Sequence, residues 1–304
     1  MLLSQLVTGL ALGSCYSLLA VAVVLVFSGT RTLSIALGEI GAFALYLGLH
    51  WRTAGVPGLG WHLSILEAAL VAVVGGALIG LLTERLVMRP LVGRPAIDGL
   101  VATLAVALLL ALLELRLYGV QSTDAPSPVG TSTFPVAGAT VNAAELSAFV
   151  LAVVVSVSLS QFLKRTKFGL ATRAAVSDPT VARLLGVRVN SVYMFVWGVA
   201  GALSGAAASL LGPIVGTLTP FGLTKFLLSA LAGAVIGGLD SLRGAVLGSL
   251  FVGLIEGVVA PRFSPAVSSL CVLVAVLAVL LLRGSPVSRA LVRLVDRRAG
   301  HASA

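Results

Sequence analysis

An all-α fold, a polytopic membrane bundle of about eight to ten spans with one helix presented in the cytosol, is predicted by three observations. The chain is 58% hydrophobic and only 10% charged, with a mean hydropathy of +1.10, whereas ordinary soluble domains carry about 25% charged residues. Its apolar residues fall in runs long enough to cross a bilayer, which takes roughly 20 residues per helix. Its Lys and Arg residues cluster in short segments between those runs, the pattern that orients a chain in a membrane. The net charge of +9 therefore reads as topology, and nucleic acid, which would need a basic face on a folded domain, is not an expected partner.

Taken in order, spans are expected at 4–27, 33–50, 63–83, 98–118, 143–163, 192–211, 223–240, 245–260 and 267–282. The first has no basic residue ahead of it and stays apolar too long for a cleaved signal, so it reads as a retained span. The second is short and carries Glu39. The seventh and eighth are joined closely around Asp240 to Gly244 as a hairpin or a re-entrant pair, which leaves eight or ten crossings open beside nine. Residues 1–304 read as one transmembrane domain, with a loop at 164–190 inside it and a basic tail at 283–304.

Orientation follows from the loops. Arg85, Arg89 and Arg94 lie in 84–95. Lys164, Arg165, Lys167, Arg173, Arg183 and Arg188 lie in 164–190, and Arg283, Arg289, Arg293, Arg297 and Arg298 lie in the tail. All three segments are expected on the cytosolic side. The segments 119–142 and 212–222 carry no Lys or Arg and belong outside, so the expected N-terminus is outside and the C-terminus cytosolic.

Glycines recur at three- and four-residue spacing, as in Gly75, Gly76 and Gly80, or Gly198, Gly201 and Gly205. Small residues at that spacing let membrane helices approach backbone to backbone. Gly38 and the pair Gly237 and Gly238 stand beside charged residues, where a helix can break and line a cavity. A carboxylate inside a span is costly and marks a pathway-facing or paired position, so Glu39 reads as a pathway residue or a structural hydrogen-bonding one. Glu256 reads as structural. Lys225 is expected to snorkel to the interface or pair with an acid, and Glu114 and Arg116, near an outer helix end, to lie at the interface. Cys15 and Cys271 sit in apolar runs and read as packing residues.

No constellation points to catalysis, a metal or a cofactor. The histidines are His50, His62 and His301, which form neither a triad nor a metal site, and no phosphate loop of the G-x-x-x-x-G-K-[ST] type occurs. If ATP drives this chain, another subunit binds it.

The loop 164–190 contains one strong local signal. Asp178 followed by Pro179 is a helix start: the carboxylate can accept from free first-turn amides, and proline at the first helical position loses no bond. Thr180 to Leu185 then sets Val181, Leu184 and Leu185 on one face, and Gly186 stands where a left-handed cap would fall. Arg173 and Arg183 flank this short helix and can address carboxylates on a partner. A surface helix without a partner is the equal alternative.

Four segments in order carry a resemblance: GLALGSCYSLLAVAVVLVFSGTRTLSIALGEIGAF, ERLVMRPL, FGLATRAAVSDPTVARLLGV and FGLTKFLLSALAGAVIGGLDSLRGAVLGSLFVGLIEG. Over nearly its whole length the chain resembles the Liv-type integral membrane subunits of branched-chain amino acid ABC importers, and more distantly the urea and sugar permeases. The resemblance implies a non-catalytic permease in the bacterial inner membrane. Its implied partners are a second, homologous permease chain, two ATP-binding subunits and an extracytoplasmic solute-binding protein, with membrane lipids around it. It implies Arg173, Ala174, Asp178, Ala182, Leu185 and Gly186, with Arg183 beside them, as ATPase-coupling positions. Where the family commonly reads Asn-Phe-Ala-His-Gly-Glu, this chain reads Ser34, Ile35, Ala36, Leu37, Gly38, Glu39; the Gly-Glu pair matches and the His is absent. Ser177 replaces an often acidic residue. Ser34, Leu37, Gly38, Glu39, Gly237 and Gly238 are the expected pathway positions. Branched-chain or other hydrophobic amino acids are the expected cargo, with urea, short amides or another small solute as an alternative. A stand-alone secondary transporter is the reading from a different class.

Overall fold

The computed structural model describes residues 2–56, 61–119, 123–127, 133–136, 139–219 and 221–284. Residues 285–304, which hold His301 and most of the basic tail, lie outside the described residues.

Helices dominate. In chain order they are α1 (Leu2–Thr30), α2 (Ala36–Ala54), α3 (Ile65–Thr83), α4 (Ala96–Tyr118), α5 (Ala143–Arg165), α6 (Lys167–Ser177), α7 (Pro179–Leu184), α8 (Val189–Val215), α9 (Gly222–Gly237), α10 (Leu242–Val259) and α11 (Pro265–Gly284). Each of the nine expected spans coincides with one helix, α6 and α7 being the extra pair inside the loop. Among the described residues six helices are long and apolar enough to cross a membrane: α1, α3, α4, α5, α8 and α10. α9 is shorter, and α2, at 19 residues, carries Glu39 and Arg52.

A helix that is apolar on every side belongs in the interior, and α1 is such a helix: from Leu18 to Val26 no residue is more than 2% exposed. α10 lies against it, with Gly9 and Gly13 meeting the backbone of Gly253, Gly257 and Leu250. α8 fills the other half of the interior, and α3 crosses it where Gly76 and Gly80 meet Gly201 and the carbonyl of Trp197. A Cβ at any of these positions would strike backbone, so small residues here set the interhelical distance. The far side of α3 carries Leu66, Leu70, Val74, Leu78, Leu82 and Leu86, all exposed. Their four-residue repeat is one face of a helix, the face left for lipid.

Two refinements concern the connections. α3 does not stop at the basic segment 84–95 but runs on through a π turn at Glu84–Met88 and a 3₁₀ turn at Arg89–Leu91. At the other end of the bundle, four short strands among the described residues form two antiparallel ladders. β1 (Thr123–Asp124) pairs with β4 (Thr217–Leu218), and β2 (Thr133–Val136) pairs with β3 (Ala139–Asn142). The first ladder joins the two segments that carry no Lys or Arg, so they share one end of the molecule. α9 and α10 form a helical hairpin through Gly238, whose φ of 100° closes α9.

Candidate functional site

The segment 164–190 folds into two helices. α6 begins at Thr166, whose Oγ1 accepts from the Gly169 amide at 3.1 Å. α7 begins at Asp178, whose Oδ1 accepts from the amides of Thr180 and Val181 at 2.8 and 3.0 Å, with Pro179 in the first turn. It ends in a Schellman arrangement: the Gly186 amide donates to the Arg183 carbonyl and the Val187 amide to the Ala182 carbonyl, each at 3.0 Å. Gly186 has φ 83°, a conformation glycine adopts without steric cost. The cap residues make α7 a defined object despite its six residues.

The side chains of this segment divide by direction. Ala182 is buried and Ala174 and Ala175 pack on the core, so alanine here seats the two helices against α8 and α5. Leu184 and Leu185 point away, 83% and 75% exposed, with Val181 and Leu170 also outward. Arg183 is exposed. Arg173 turns back and donates to the carbonyls of Leu163 and Lys164 at 3.3 and 3.4 Å, where the last turn of α5 leaves carbonyls without helical partners. The sequence signal that identified α7 was its cap; α6 was missed because its Thr166 cap follows directly on the end of α5.

Other segments reach the same end of the molecule. A cleft of about 280 Å³ is shared by Arg31, Gly93, Arg94, Ala175, Pro179 and Tyr193, among others. The segments after α1 and α3 thus meet the α6 and α7 pair. Inside this region Glu84 is 1% exposed and pairs with Arg89 at 3.3 Å, a five-residue separation that faces inward only because the backbone makes a π turn.

The positions expected along a pathway lie inside the helix bundle. Ser34, Leu37 and Glu39 are at most 1% exposed and Gly38 is buried. α2 starts deep, its preceding Ile35 amide donating to Thr103 of α4 at 3.3 Å. Glu39 accepts from the Thr224 hydroxyl in the first turn of α9, and Gly38 leaves room for Leu227. The Ser204 hydroxyl of α8 donates to the Leu37 carbonyl. Gly237 packs against the Gly244 backbone in the α9–α10 hairpin, and Gly238 closes α9, so these two lie apart from the Glu39 group.

Glu114 departs from expectation. In place of an interfacial position it is fully buried, with neither carboxylate oxygen bonded, while Arg116 two residues on is exposed. The packing of α4 on α2 turns it inward, toward Glu39 and the Tyr46 and Tyr118 rings. The Tyr46 and Tyr118 rings stack at 5.5 Å, and the Tyr46 hydroxyl and the second Glu39 oxygen are likewise buried without a bond. A buried polar group without a partner is costly, so this cluster marks a built polar centre in an apolar bundle.

Glu256 fits its structural reading: its oxygens accept from Tyr16 of α1 and Ser229 of α9, each at 2.6 Å. Among the described residues Lys225 reaches no acid; its ammonium lies 4.6 Å from the Phe226 ring centre, a favourable cation–π placement. Cys15 is buried and Cys271 half-buried, both free thiols.

Residues 5–282 match the family described as branched-chain amino acid transport system / permease component. The chain is 28% identical over 84% of its length to the high-affinity branched-chain amino acid transport system permease protein BraD of Pseudomonas aeruginosa, covering 85% of it. It is 32% identical over 62% of its length to a probable branched-chain amino acid transport permease protein LivH of Methanocaldococcus jannaschii, covering 61% of that protein. A high-affinity LivH of Escherichia coli is 26% identical, with 84% of each chain covered. No solved structure matches the chain.

Proposed function

The chain belongs to the branched-chain amino acid transport permease family, and on that premise we propose that it carries branched-chain or other hydrophobic amino acids across the cytoplasmic membrane as one permease half of an ABC importer. A second, homologous permease completes the channel. Two ATP-binding subunits supply the energy, and an extracytoplasmic binding protein delivers the cargo. The basic segments face the cytosol and the β1–β4 end faces outward, a reading the distribution of Lys and Arg supports.

The observation that carries this reading is α7: a helix capped at both ends that presents Val181, Leu184 and Leu185 outward beside Arg183. Leucines this exposed on a soluble face are a binding surface awaiting cover. An amphipathic helix laid in a groove of another protein is a recurrent recognition mode, and here the groove belongs to the ATPase. Ala182 and Ala174 seat the helix, Asp178 and Gly186 fix its ends, and Arg173 ties α6 to α5. Closure of the ATPase pair then pushes α6 and α7, and through them α5 and α8.

A detergent pull-down tests the docking role. The Asp178→Ala, Arg183→Ala double variant is expected to lose the ATPase subunits while eluting as folded protein. Undiminished co-purification would overturn it.

One observation favours a second reading. Glu39 and Glu114, buried together without a cation among their described neighbours, are the kind of intramembrane carboxyl group that serves proton relays. Uptake by vesicles containing this permease without any ATPase subunit would support a stand-alone transporter; dependence on ATP and on those subunits supports the importer.

A further inference from the structure

A second cleft, of about 550 Å³, opens at the basic end of the bundle and belongs to neither α7 nor the Glu39 group. The end of α1, the last turns of α5, the start of α6 and the α9–α10 turn enclose it. Its charged lining is Arg31, Lys164, Arg173 and Arg243 against Asp240, four cations to one anion. Arg31 is bonded to Asp240 at 3.1 Å with both side chains well exposed, a pairing of little strength in water, so the excess of positive charge stands.

Other features point the same way. Ser241 accepts from the Gly244 amide and so begins α10 at the cleft wall, which directs the positive end of that helix dipole into it. The cleft is also graded: Leu25, Leu163 and Leu242 line it together with the cations and with Ser160 and Thr172. A free anion needs the cations alone. A phospholipid uses both parts, its phosphodiester among the guanidinium and ammonium groups and its glycerol and upper acyl carbons on the leucines. Basic pockets between transmembrane helices take anionic headgroups for this reason.

We propose that this cleft binds the phosphodiester of an anionic phospholipid. Thr172 and Arg173 of α6 line it, so the lipid touches the same segment that continues into α7. Its occupancy braces α6 against α1 and the α9–α10 hairpin.

The test is native mass spectrometry of the full chain in detergent, titrated with phosphatidylglycerol or phosphatidylcholine. Phosphatidylglycerol is expected to be retained in preference. Each basic residue near a charged lipid is worth about 1 kcal/mol, so the Lys164→Gln, Arg243→Gln double variant should lose about 30-fold in apparent affinity. Lys164→Gln alone, at an exposed site, should lose about fivefold and keeps the test decisive if the double variant does not fold. Arg262→Gln, exposed beyond the far end of α10, removes one charge from the molecule and should change nothing. Equal retention of the two lipids, or of phosphatidylglycerol by wild type and the Lys164 variant, would overturn the proposal. Displacement of the lipid by millimolar inorganic phosphate would overturn the lipid and assign the cleft to free phosphate. The readout needs neither ATPase nor cargo, so its failure leaves the importer reading intact.

Discussion

The Tyr16 hydroxyl and the Glu256 carboxylate meet at 2.6 Å, tying α1 to α10 while the other oxygen of Glu256 holds Ser229 of α9. One carboxylate thus joins three helices at a point where Tyr16 itself is fully buried. Removing the donor leaves a carboxyl oxygen inside the bundle short of a bond, which costs about 1–3 kcal/mol. Tyr16→Phe is expected to lower the apparent Tm in detergent by several degrees, and Glu256→Gln, which keeps an acceptor, to lower it less. An unchanged Tm in Tyr16→Phe would remove this bond from the account of stability.

Leu184 and Leu185 make the opposite prediction. Because both are largely exposed, Leu184→Ser with Leu185→Ser should move stability by no more than about 0.5 kcal/mol each. ATPase association, read by co-purification, should fall at least tenfold, because burying two leucines contributes about 1.5–3 kcal/mol apiece. Undiminished association of the folded double variant would show that these side chains serve the permease alone.

Glu39 and Glu114 separate stability from function. Glu114→Gln replaces an unpaired buried carboxyl by a neutral group and should raise stability by about 1 kcal/mol or leave it unchanged. Glu39→Gln retains an oxygen for Thr224 and should preserve assembly. If the pair serves transport, both variants slow uptake in reconstituted vesicles at normal complex yield. Uptake equal to wild type in both would make the cluster structural.

Gly201 and Gly205 face Gly76 and Ala72 with no space for a side chain. Gly205→Val is expected to separate α3 from α8, with little folded protein recovered by size-exclusion chromatography. Gly93→Ala, with open space around it but φ 90°, should cost about 1–2 kcal/mol and leave the bundle assembled.

Much of this molecule is written locally. The spans are legible because hydropathy over about 20 residues is decided by that stretch alone. α7 is legible because its Asp178, Pro179 and Gly186 signals act within a few residues of the backbone groups they satisfy. Glu256 was readable as structural, although the partners Tyr16 and Ser229 were not, since they lie 240 and 27 residues away.

What tertiary structure decided is which neighbours each polar side chain met. Glu114 sits near a helix end in sequence, where the interface is the ordinary place for it, yet α4 rotates it onto α2 and Tyr46. Glu84 and Arg89 pair because a π turn brings a five-residue spacing to one side. The cleft at Arg31, Lys164, Arg173 and Arg243 gathers cations from three separated segments. Apolar runs and caps are properties of short windows, which composition settles; contact between helices depends on rotation and crossing, which in this chain are set by glycine against backbone across the whole fold.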